Sequence, residues 1–61
     1  MSTYTVTISV TDEDVEGGKT FNIDMGGLQA ESPDGAQADA LRILRDIEPG
    51  TYFEVVSATK N

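Results

Sequence analysis

The sequence predicts an α+β domain of β-β-α-β order, and three observations predict it. Residues 3–10 and 19–25 alternate polar and apolar side chains, the period-two signature of half-buried strands. Residues 33–47 carry apolar side chains at helical spacing, between a proline start signal and a Pro-Gly stop. Residues 51–58 then return to aromatic and β-branched side chains, which favour a pleated surface.

The first run is the most regular. Over eight positions without a slip, Tyr4, Val6, Ile8 and Val10 take one face, and Thr3, Thr5, Thr7 and Ser9 the other. The stretch from Thr11 to Gly18 is polar, Gly-ended and too acidic to continue a buried strand. Alternation resumes in Lys19–Met25, with Phe21, Ile23 and Met25 on one face and Thr20, Asn22 and Asp24 opposite. The two runs read as a β-hairpin whose long join leaves room for strand extension or a bulge. Gly26-Gly27 is expected to end the second strand, and residues 28–32 to connect, with Leu28 tucked under the core edge.

The helix starts either with Ser32 as N-cap and Pro33 in the first position, or with Asp34 as cap and Gln37 completing a capping-box variant. Ala36, Ala40, Ile43, Leu44 and Ile47 form one stripe with Leu41 beside it, leaving Ala38, Asp39, Arg42, Arg45 and Asp46 outside. Pro49 disfavours helical geometry at Glu48, and Gly50 permits the turn. In the last strand Phe53, Val55 and Ser57 are expected inward, with Tyr52, Glu54, Val56 and Ala58 outward, because that choice puts Glu54 in water. Residues 59–61 are expected to fray.

Running the strands up and down, with the helix returning up, makes all neighbours antiparallel if the last strand pairs with the first. The expected order is therefore second, first, third (2-1-3), a three-stranded sheet with one helix on one face and the other face solvated unless something binds it. The first strand is central.

Composition narrows the function classes. Sixty-one residues make one domain near the lower limit for unaided folding. With no Cys and no His, the chain has neither a disulfide brace nor the commonest zinc ligand and acid–base catalyst. No His can activate the many Ser and Thr hydroxyls, no Gly-x-Ser-x-Gly elbow is present, and the Gly pairs lack phosphate-loop context. The chain is not expected to be an enzyme or to use a cofactor. Residues 1–4 show no secretory pattern, and no segment approaches the roughly 20 apolar residues of a membrane span, so the expected location is the cytoplasm.

Charge carries more. Eleven acidic residues against four basic give a net charge of −7, which argues against direct binding to nucleic acid or anionic membrane. It suits a soluble surface, or a cationic partner drawn in by long-range attraction. The topology gathers Asp12, Glu13, Asp14 and Glu16 of the join with Asp46 and Glu48 of the helix C-terminus at one end of the domain. Anions there oppose the helix dipole, and Arg45 offsets this only in part. Asp12, Asp14, Glu16 and Gly17 match the first half of an EF-hand calcium loop, but the position for the bidentate Glu holds Ile23 and strands flank it, so no metal site is expected. The polar sheet face (Thr5, Thr7, Ser9, Thr20, Asn22, Tyr52, Glu54) is either a hydrated surface or a flat docking site with Tyr52 as its anchor.

Two classes of function follow. One is a non-catalytic inhibitor, an acidic decoy that fills a basic nucleic-acid groove; its candidate partner-binding residues are Asp12, Glu13, Asp14, Glu16, Asp46, Glu48, Asp24, Glu54 and Tyr52. The other is a small structural or assembly module that homo-oligomerises through its sheet face or an edge strand; on its own the chain is expected to be a monomer or weak dimer. A third, the acidic partner of a basic toxin or regulator, shares the chemistry of the first.

The layout of Met1-Ser2-Thr3-Tyr4-Thr5, the Thr20-Phe21-Asn22-Ile23 strand, the helix, and the final Gly50-Thr51-Tyr52-Phe53-Glu54-Val55 strand resembles small acidic phage-encoded anti-defence proteins. In particular it is similar to a type I-F anti-CRISPR inhibitor. The likeness spans most of the chain as an outline of elements and carries no diagnostic motif. It implies a basic surface on a Cas subunit of a surveillance complex as partner, inside a host cell.

Overall fold

The structure, a computed structural model, describes residues 1–12 and 18–61. Three strands and one helix follow in the order β1 (Ser2–Asp12), β2 (Lys19–Ala30), α1 (Pro33–Ile47) and β3 (Tyr52–Lys60). The sheet order is β2-β1-β3, and both pairings are antiparallel, as expected.

Alternation in β1 does what its pattern dictates. Tyr4, Val6, Ile8 and Val10 are all buried, and they make up half of a core completed by Ala30, Ala36, Ala40 and Phe53. Val6 and Ile8 are its largest fully buried side chains. Only alanines from α1 are fully buried, so the helix lies close on the sheet. Burying a Val or Ile side chain contributes roughly 1.5–3 kcal/mol each, so the central strand contributes heavily to the driving force.

The two outer strands are longer than expected, for one shared reason. Each contains a one-residue bulge that shifts its alternation. In β2, Tyr4 pairs with Leu28 but Val6 with Met25, so Gly26 and Gly27 together oppose Thr5. Gly27 adopts a φ of 72°, which an L side chain rarely tolerates. The extra residue turns Leu28 and Ala30 onto the face that Ile23 and Met25 already occupy. The Gly pair is thus a bulge inside the strand and not its end.

In β3, Thr7 pairs with Ser57 but Ile8 with Val55, leaving Val56 as the extra residue. Phe53 and Val55 face the core as expected, but beyond Val56 the faces exchange. Ser57 is exposed, and Ala58, opposite Val6, packs against the core. The expectation of Ser57 inward and Ala58 outward is corrected by that bulge. The tail is not frayed either: Lys60 pairs with Tyr4, the Asn61 N–H donates to the Thr3 carbonyl at 2.9 Å, and Thr5 Oγ1 donates to Asn61 Oδ1 at 3.0 Å.

Ser32 is the N-cap, its Oγ accepting from the Gly35 N–H at 3.2 Å, with Pro33 in the first turn; Asp34 lies within that turn. The buried face is rotated from the expected stripe. Ala36 and Ala40 are buried and Leu41 and Leu44 pack on the core, while Ile47 is 65% exposed. The helix begins beside the end of β2 and finishes beside the start of β3, so it crosses the sheet diagonally. Burial in β2 accordingly rises from Phe21 to Ala30, and in β3 falls from Phe53 to Lys60.

Candidate functional site

A diagonal helix leaves one corner of the inner face uncovered, at the start of β2. Phe21, opposite Val10 and on the inner face, is 51% exposed for this reason. The corner forms an open hollow of about 240 Å³ lined by Val10, Asp12, Phe21, Glu48, Thr51 and Phe53. Asp12 ends β1, and Glu48 caps the C-terminus of α1. The expected convergence of these two carboxylates at one end is what the fold produces.

Glu48 is held by its backbone on both sides. Its N–H donates to the Leu44 carbonyl at 2.8 Å, and its carbonyl accepts from the Thr51 N–H at 3.3 Å across the turn at Pro49-Gly50. Gly50 takes a φ of 103°, which makes that turn possible. The carboxylate thus projects from a fixed point. Asp46 is exposed in the last helical turn beside Arg45. Lys19 stands opposite Asp12 in the ladder. Glu13, Asp14 and Glu16, and with them the calcium-like spacing, lie outside the described residues. Among the described residues, no group of three metal-binding side chains could hold a metal ion.

Asp24, Glu54 and Tyr52 belong to a different surface. They face outward with the hydroxyl row of β1: Asp24 pairs with Thr7, Glu54 with Ser9 and Tyr52 with Thr11. Thr7 Oγ1 donates to Asp24 Oδ1 at 2.7 Å, and the Thr11 and Thr20 hydroxyls lie 3.3 Å apart. These cross-strand bonds tie side chains of this face to one another. Tyr52 is 56% exposed at its edge. The six described candidates therefore divide between an acidic end (Asp12, Asp46, Glu48) and an outer sheet face (Asp24, Glu54, Tyr52), and the fold does not join the two into one site.

Sequence reasoning assigned Phe21 and Phe53 to the core alone and missed that they line the hollow. Alternation reports which face a side chain takes; it does not report whether a helix reaches that part of the face. No helix among the described residues is long and apolar enough to cross a membrane. Compared with known protein families, curated proteins and solved structures, the chain matches none.

Proposed function

We propose that the chain is a non-catalytic inhibitor, an acidic decoy that occupies a basic nucleic-acid-binding surface of a host defence complex, as its resemblance to anti-CRISPR proteins implies. The supporting observation is the meeting of Asp12 and Glu48 at one hollow, with Asp46 in the adjoining turn, in a chain of net charge −7. Carboxylates held on a compact scaffold can replace phosphates by charge. A partner would be drawn in fast, and the complex would weaken with salt. The assembly reading receives less support. Both sheet edges are bulged, β2 at Gly26-Gly27 and β3 at Val56, and bulges are one of the devices that blunt edge-to-edge pairing.

The test is displacement. The chain is titrated into purified type I-F surveillance complex holding labelled target DNA. The expected result is loss of bound DNA, with potency falling between about 50 and about 200 mM salt. DNA binding unchanged at saturating chain and low salt would overturn the proposal.

A further inference from the structure

We propose that the hollow at the C-terminal end of α1 takes an arginine side chain from the protein partner. This inference rests on the decoy reading and names what the acidic end grips. At about 240 Å³ the hollow is smaller than the roughly 300–1,000 Å³ of pockets that hold small-molecule ligands, so one side chain suits it better than a cofactor. Its apolar lining is Val10, Phe53 and the half-bare Phe21, and its acidic lining is Asp12 and Glu48.

That pairing specifies the occupant. An anion is repelled. A purely apolar group would strip water from two carboxylates and give nothing back. A guanidinium is flat, weakly hydrated on its faces and donor-rich at its edge, so it stacks on an aromatic ring while its edge meets carboxylates. A lysine ammonium is a more strongly hydrated point charge and uses only the acidic half. Glu48 carries most of the electrostatic part: it has no ion-pair partner among the described residues, whereas Asp12 stands opposite Lys19.

The probe is the blocked tripeptide N-acetyl-Gly-Arg-Gly-amide, titrated into isotope-labelled chain at low salt and read by NMR. Lysine and citrulline versions serve as comparisons. The expected result is saturable binding in the millimolar range, with shifts centred on Val10, Phe21, Thr51 and Phe53, weaker for lysine and absent for the neutral citrulline. Glu48→Gln and Phe21→Ala should each weaken arginine binding roughly two- to fivefold. Both positions are exposed, and retained amide dispersion verifies folding. Glu31→Gln removes the same charge at the opposite end and should leave the affinity unchanged.

Equal response to lysine and arginine, shifts centred on the outer sheet face, unchanged affinity in both hollow variants, or no saturation at about 20 mM peptide would each overturn the assignment. The peptide titration involves no DNA, so its outcome is distinct from that of the displacement assay. A chain that displaces DNA but ignores the peptide loses the hollow and keeps the decoy. A chain that binds the peptide but displaces no DNA keeps the hollow and loses the decoy.

Discussion

The two ends of the helix differ in how well their parts agree. At the N-terminal end Ser32 caps the Gly35 N–H, Pro33 fills the first turn, and Asp34 sits where the dipole favours an anion. Tyr4, Ala30 and Ala36 close the core beneath it. At the C-terminal end Asp46 and Glu48 oppose the dipole, only Arg45 answers them in the last turn, and Phe21 is left half bare. One end resolves its local interactions, and the other leaves them open to something else. In a small domain with little stability to spare, that unrelieved conflict is a measurable local cost.

A substitution in β1 acts on both ends of the helix, and one at either end acts on that end alone. Ile8→Ala removes the fully buried side chain that supports the sheet under both, and should cost roughly 2–5 kcal/mol in denaturant melts. A loss below about 1 kcal/mol would mean that β1 is not the common support. Ser32→Ala acts on the closed end alone, with an expected loss of about 1 kcal/mol, or about 4–8 °C in Tm. An unchanged Tm would remove the cap from the account.

The next effect has the opposite sign. Asp46→Asn with Glu48→Gln should stabilise the chain by about 0.3–1 kcal/mol per site at low salt, because each removes an anion from the unfavourable end of the dipole. The gain should shrink as salt screens it. Destabilisation by the pair would show that the open end holds no conflict.

The same comparison explains what could be read from the sequence. The elements, the strand order and the central place of β1 follow from alternation, helical spacing and antiparallel geometry, and all are present. Ser32, one of two candidate caps, also holds. The bulges were harder to see. In β2 the parity switch was on view, with Phe21, Ile23 and Met25 at odd positions and Leu28 and Ala30 at even ones. A Gly pair, however, reads equally as a strand end. In β3 the adjacent Val55 and Val56 suit either face, and only pairing with Thr7 and Ile8 decides where the extra residue falls.

The acidic end was legible because topology alone brings Asp12 and Glu48 together. The hollow was not, because it depends on the diagonal path of the helix, which no local pattern encodes. Ile47 shows the same limit: it continues the expected stripe but is 65% exposed at the helix end.

If the chain acts as the proposed acidic decoy, the position of its acidic charge, and not the total, decides binding. Two charge-matched double variants separate these: Asp46→Asn with Glu48→Gln at the open end, and Glu31→Gln with Asp34→Asn at the closed end. Their potency in displacing DNA from the type I-F surveillance complex is the deciding measurement. The expected result is a roughly tenfold loss for the open-end variant and unchanged potency for the closed-end variant. Equal losses in both, or full potency in the open-end variant, would contradict it.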